Sequence, residues 1–257
     1  QAITHLLGDL RRQAGVAVQL AVTHWGCGNF SQGLAVATHA GEVAAAAGSR
    51  SVQMAAGVAR MMHNHALGRY ADAQADGAQV ARDFAAELQA RRLLPGWAVI
   101  ASVNLATFLA DTQLWRGDPA AAQAACDQGY AELQAKDHPF SRVLLDFAQG
   151  VLLMARQQPE EAAALLQASL ELCRVHELSN MYPAILAHLT GALALCGRAD
   201  QGLALLEPAV ARHASRAGGR YNEYYFPYFL AVALGRAGRV EEAVAAARQA
   251  CDAARSV

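Results

Sequence analysis

The chain has 257 residues, with 21 basic and 22 acidic side chains and a formal net charge of −1. No basic patch or stripe is visible, which argues against nucleic-acid binding by this segment, and no apolar run approaches the roughly 18 residues of a membrane span. Hydrophobic residues make up 54% and aromatics only 7%, so the apolar surplus is aliphatic and largely alanine, the strongest helix former.

The elements follow in chain order. A short leading helix is expected over 2–12. Helices near 12–26 and 30–47 meet at Gly26-Cys27-Gly28-Asn29, and helices near 50–67 and 71–92 meet at Leu67-Gly68-Arg69-Tyr70. A third pair, near 96–116 and 119–135, meets at Arg116-Gly117-Asp118-Pro119, and a fourth, near 140–156 and 159–176, at Arg156-Gln157-Gln158-Pro159. The fifth, near 183–196 and 200–214, turns at Cys196-Gly197-Arg198-Ala199. The sixth, near 224–237 and 240–254, turns at Ala237-Gly238-Arg239-Val240. The anchors Gly28, Gly68, Gly117, Gln157, Gly197 and Gly238 are spaced 40, 49, 40, 40 and 41 residues apart. A fixed period of this size is the signature of a repeat architecture.

Each turn has a mechanical reason. Glycine takes the left-handed conformation that ends a helix. Pro119 and Pro159 suit the first turn of the next helix, and Asn29 and Asp118 suit its N-cap. Seven residues before the anchors stand Ala21, Met61, Ala110, Gly150, Thr190 and Ala231; five after them stand Gly33, Ala73, Ala122, Ala162, Gly202 and Ala243. Small residues at both places let the paired backbones close, and Met61 predicts a looser pair. The interval of 49 holds nine extra residues around Arg91–Gly96, so either an overlong helix or a loop is expected there. Pro208 predicts a kink, and Gly218-Gly219 a flexible joint.

This pattern resembles the tetratricopeptide repeat (TPR) family over nearly the whole chain. Gly150, Ala162 and the Gly117-Asp118 turn fall at the family's small and turn positions. The unit is about 40 residues rather than 34, and the early tryptophan is replaced by residues such as Ala17, Gly57, Leu186 and Pro227. In unit length and alanine content the chain is similar to the sensor segments of bacterial signal-transduction ATPases. These include large LuxR-type activators, such as the maltose-regulon activator, and ATPase-linked nucleotide cyclases. The resemblance implies an all-α, right-handed α-solenoid of about six helix–turn–helix repeats, with first helices lining a concave face. The expected organisation is one domain over 1–257, a piece of a longer protein because the chain starts at Gln1 without a signal peptide.

At the offsets by which that family reads ligands, the third unit presents Asn104, Thr107, Phe108, Asp111 and Leu114. Asn104, Thr107 and Asp111 follow i, i+3, i+7 spacing, and Asp111 is the candidate acceptor for a cation, an amide or a hydroxyl; a polar stripe bonding the next repeat is the alternative. The last unit places Tyr221, Tyr225 and Tyr228 on one face, either a binding surface or a capping helix. Trp25, His65, Trp115 and His188 fall on or beside the same face, and Trp97 at the mouth of the insertion. Together they suggest an aromatic-walled groove for a peptide, a sugar or a flat small molecule.

No metal is expected: His63 and His65, two apart, point to different sides of a helix. No cofactor is expected either, and no catalytic motif stands out. The family's carboxylate clamp is not supported, because its lysine position holds Val18, Val58 and Phe147. Five cysteines without a CxxC motif point to a reducing cytoplasm. The expected function is therefore a protein-interaction or ligand-sensing arm of a signalling or transcription regulator, not an enzyme. It would take a protein or peptide partner or a small inducer. Self-association as a homo-oligomer is the alternative.

Overall fold

The computed structural model describes residues 9–90, 92–95, 97–134, 137–214 and 225–255. They form thirteen helices: α1 (Leu10–Gly26), α2 (Phe30–Ala46), α3 (Arg50–Ala66), α4 (Tyr70–Asp83), α5 (Ala85–Gln89), α6 (Ala101–Trp115) and α7 (Pro119–Gln134). Then come α8 (Pro139–Ala155), α9 (Pro159–Val175), α10 (Tyr182–Leu195), α11 (Ala199–Ala214), α12 (Tyr225–Arg236) and α13 (Val240–Arg255). Among the described residues there is no strand beyond a single antiparallel bridge, Leu93–Ile100. The expected joint at Gly218-Gly219, and Tyr221 and Tyr224, lie outside the described residues, as does 2–8 of the leading helix.

The six turns share one construction. Every anchor has positive φ, from 60° at Gln157 to 82° at Gly117. The N–H of the residue after the anchor then reaches back five residues along the chain: Asn29 to His24, Arg69 to Asn64, Asp118 to Gln113, Gln158 to Leu153, Arg198 to Leu193 and Arg239 to Leu234, all at 2.8–2.9 Å. This is the Schellman closure. Gln157 adopts it without glycine's freedom, where an L-residue costs about 1 kcal/mol. Asp118 caps α7, accepting from the Ala121 N–H at 2.9 Å. Asn29 makes no side-chain cap to α2, contrary to expectation, whereas Asp9 caps α1 at 3.0 Å.

The chain divides into two compact units, 1–141 and 142–257. The first has an alanine-rich core, with Ala14, Ala21, Ala37, Ala40, Ala44 and Ala55 all fully buried. Met61 is also fully buried there. Its sulfur lies so close to Gly77 that a Cβ on that glycine would sit 2.8 Å away. Gly77 on α4 thus supplies the room that the methionine takes. The nine extra residues form neither one long helix nor a plain loop. The backbone of α4 breaks at Phe84 and resumes as the five-residue α5. The chain then doubles back through the bridge, with Leu94 N–H donating to Val99 at 2.9 Å and Ala101 N–H to Arg92 at 3.0 Å. Leu94, Val99 and Ile100 are buried, so the first helix of the third pair starts at Ala101, later than the expected 96.

The second unit is built on larger aliphatics, including the fully buried Leu145, Leu152, Leu166, Ile185, Leu189 and Leu206. Its small residues lie where helices of a pair touch. A Cβ on Gly150 would meet Leu166 at 2.8 Å, and one on Gly202 would meet the Thr190 backbone at 3.1 Å. The Thr190 hydroxyl bonds both Leu186 and Gly202 carbonyls. α11 runs through Pro208, whose missing N–H leaves the Ala204 carbonyl without its helical donor. Buried carboxylates are matched within each unit: Asp76 by Arg60 and Asn64, Asp146 by Arg142 and Ser169.

Candidate functional site

In the first unit α6 carries Asn104, Phe108, Asp111 and Trp115 at i, i+4, i+7 and i+11, one stripe of a helix. The stripe rises out of the core. Asn104 is 3% exposed, Phe108 and Asp111 are half-buried, and Trp115 is 62% exposed. Thr107 is buried, and its hydroxyl donates to the Val103 carbonyl at 2.8 Å. Asn104 and Thr107, expected on an open face, are therefore wall rather than surface. The Asn104 Oδ1 is buried without a hydrogen-bond partner.

Trp25 at the end of α1 and His65 at the end of α3 stand three residues before their turns, at the same place in successive repeats. Trp25 meets the Phe108 ring edge-on at 5.5 Å between centroids, and Phe108 meets His65 at 6.2 Å. His65 lies 5.4 Å from the Tyr70 ring, and Tyr70 is parallel to Trp115 within 8° at 6.4 Å. The result is a continuous run of rings from α1 to the exposed end of α6.

The polar chemistry sits in the middle of that run. His65 Nε2 is 3.0 Å from Asp111 Oδ2, and Nδ1 is 3.0 Å from the buried Thr112 hydroxyl. An ionised carboxylate only accepts, so Nε2 carries the proton toward Asp111. Both ring nitrogens are then held, and the imidazole fixes the carboxylate's direction. Burial, and then the charge on Asp111, push the Tyr70 phenol above its usual range, which keeps it a neutral donor. Asp111 retains partial exposure beside an exposed indole, so it can accept from a cation, an amide or a hydroxyl laid against the rings.

His63, two residues before His65, does something else. It is 1% exposed and its Nε2 donates to the Ala21 carbonyl at 3.1 Å. A Cβ on Gly33 would fall 2.0 Å from its Cε1, so its ring fills the space that the glycine leaves. The two histidines turn to different partners. Among the described residues no group of three His, Cys, Asp or Glu side chains could hold a metal ion, and none of the five cysteines is in a disulfide.

The second unit gathers a separate cluster. His188 is 5% exposed, with its Nδ1–H donating to the Ala184 carbonyl at 2.8 Å. Phe147, Tyr225 and Phe229 surround it at 4.6, 5.0 and 4.5 Å between centroids. Tyr228 stacks edge-on against Phe229 at 4.9 Å and is 54% exposed. His188, expected on an open face, is a core residue here; Tyr228 is the surface residue and Tyr225 is half-buried. A cleft of about 360 Å³ opens between α11 and α13, with Val210, Leu230, Leu234 and Ala246 in its walls. Arg239 ties Glu207 and Glu242 together across its rim at 2.7 and 2.6 Å.

The residues missed in the sequence are Tyr70 and Thr112. Tyr70 stands two places after its turn anchor, at the head of a second helix, whereas the ligand-reading offsets fall on first helices. Phe30 occupies the same offset in the first repeat and packs on Trp25 at 5.3 Å. Aromatics at that offset were the available signal.

No protein-family model matches the chain, and no curated protein matches it. Twenty chains of solved structure do. One is a crystal structure of nearly identical TPR-like repeats from a Podosopora anserina protein described as a kinesin light chain. It superposes with a TM-score of 0.52 at 20% identity, over 78% of this chain and 94% of that one. The chain has the TPR-like helical-repeat fold. Its units of about 40 residues share one left-handed turn. Among the described residues no helix of this TPR-like chain is long and apolar enough to cross a membrane.

Proposed function

We propose that this TPR-like chain is a non-catalytic interaction scaffold that binds a partner protein through a peptide segment. The bound segment lies along Trp25, Phe108, Tyr70 and Trp115 and places a basic or amide group on Asp111. The observation that carries the reading is Asp111 itself, a partly exposed carboxylate oriented by His65 at the centre of an aromatic run that ends in an exposed tryptophan. Trp and Tyr surfaces with one directed polar group are the usual composition of binding hot spots. The unpartnered Asn104 Oδ1 on the same stripe supports it. The finer reading is a ligand-sensing segment of a bacterial cytoplasmic regulator, in which binding shifts the population of conformers presented to an attached effector. The alanine-rich repeat of about 40 residues and the free cysteines support that context.

The test is a thermal-shift screen against short basic, neutral and acidic peptides, with sugars and nucleotides alongside. Ligand at a hundred times its dissociation constant adds about 2.7 kcal/mol. Basic peptides are expected to stabilise the chain, with the effect lost in Asp111→Asn. A hit confined to sugars or nucleotides would replace the peptide reading with a small inducer, and binding that survives both Asp111→Asn and Trp115→Ala would remove the site from this cluster.

A further inference from the structure

We propose that the group Asp111 takes is the guanidinium of an arginine side chain in the bound peptide, laid flat against Trp115 and Tyr70, and that these two rings make the site select arginine over lysine. The proposal rests on the peptide reading above and names the residue that the acid recognises.

The chain contains its own example of the arrangement. Arg50 places its guanidinium carbon 5.1 Å from the centre of the Phe84 ring and bonds both carboxylate oxygens of Glu87, three residues further on. Among the described residues the two buried carboxylates, Asp76 and Asp146, are likewise each held by an arginine, Arg60 and Arg142. Asp111 has the surroundings of this set without the arginine. Its side chain is 22% exposed, close to the 24% of Glu87, and an aromatic ring, Trp115, stands four residues further along the same helix. Its one ion-pair partner among the described residues is His65, which holds Oδ2 and leaves Oδ1 free. Arg69 and Arg116, next in sequence to Tyr70 and Trp115, are exposed and do not pair with it.

The rings decide which cation fits. The Tyr70 and Trp115 planes agree within 8°, with centroids 6.4 Å apart, so a flat group parallel to one is parallel to the other. A guanidinium is flat and weakly hydrated and carries its donors in its own plane. It stacks on an aromatic face while one edge donates to a carboxylate. An ammonium has no face to stack and sheds a tighter hydration shell to reach the same oxygen. At 62% exposure Trp115 has ring surface open to a ligand, and the edge of the guanidinium that Asp111 does not use stays in water. His65, held on its other nitrogen by the buried Thr112 hydroxyl at 3.0 Å, fixes the rotation of the carboxylate.

The experiment is a saturation-transfer NMR titration of the full 257-residue chain. The probes are the acetylated, amidated heptapeptide Gly-Ser-Ala-Arg-Ala-Ser-Gly and its versions with lysine or citrulline in place of arginine. The arginine peptide is expected to bind roughly three- to tenfold more tightly than the lysine peptide. Citrulline, which keeps the flat shape without the charge, should bind more weakly than arginine, and Asp111→Asn should bring the two level. Trp115→Leu, and to a smaller degree Tyr70→Leu, should bring the arginine-to-lysine ratio toward one, with unchanged circular dichroism as the control for folding. Free arginine amide that binds as tightly as the peptide would keep the guanidinium selection and overturn the peptide as its source. Equal affinity for arginine and lysine, or an arginine preference that survives both ring variants, overturns this proposal and leaves the basic-peptide reading standing. Binding of neither peptide overturns both.

Discussion

The two aromatic clusters use the same ingredients to opposite ends. In the first unit a histidine between rings is tied to a carboxylate, and the run of rings opens onto an exposed tryptophan. In the second a histidine between rings is tied to a backbone carbonyl of its own helix and sealed by Phe147, Tyr225 and Phe229. The background packing differs too, alanine-rich in one and leucine-rich in the other. Aromatic count therefore does not mark a site. What distinguishes the first cluster is a directed acid with water on one side, because only there can a ligand exchange its hydration for a charge-assisted hydrogen bond.

The comparison can be broken most forcefully through acid. Burial lowers the His63 pKa to about 4 from its ordinary 6.5, the Ala21 carbonyl opposing. The unfolded chain thus takes the proton first. Stability that is full above about pH 6.5 falls as pH drops toward 4, by about 3 kcal/mol in all. Chemical denaturation from pH 7 to 4 checks this. His63→Leu should flatten that limb, and hydrogen exchange should place the acid-sensitive opening in α1–α3.

The next effect is steric and belongs to the sealed cluster. A Cβ on Gly191 would sit 2.3 Å from the Phe229 ring, so Gly191→Ala should destabilise by roughly 1–3 kcal/mol and displace rings around His188. Gly191→Ala should nevertheless leave the affinity of a ligand bound at Asp111 unchanged, as calorimetric titration would show. Asp111→Asn and Trp115→Ala should do the converse, losing roughly tenfold or more in affinity with melting temperature nearly constant. The smallest effect is in a turn. Gln157→Gly relieves a positive-φ glutamine and should raise stability by about 1 kcal/mol, whereas Gly117→Gln at the matching turn should lower it by a similar amount; thermal unfolding of both reads the difference.

Much of this was legible in the chain itself. The anchors named the six turns, and all six proved left-handed, because a helix closed by a Schellman bond selects glycine and tolerates Gln157 only at a cost. The small residues at Gly150 and Gly202 did mark close helix contacts. Where expectation failed, the cause was a neighbour that a period does not contain. Met61 was met by Gly77 rather than by its counterpart Ala73, and Asn29 had a suitable side chain but made no cap. Asn104, Thr107 and His188 have polar side chains at the right offsets, yet their helices enter the core at those points.

By itself the sequence determined the repeat, its helices and its turns, because these depend on residues within a few places of one another: a left-handed glycine, a proline at a helix start, two small residues twelve apart. Only the tertiary structure decided which side chains meet. His65 reaches Asp111 across 46 positions, Tyr70 joins Trp115 from a second helix, and Thr112 anchors the ring from below. Burial and pairing of this kind depend on how one helix pair seats on the next, and small differences in each turn and each core residue accumulate into that seating.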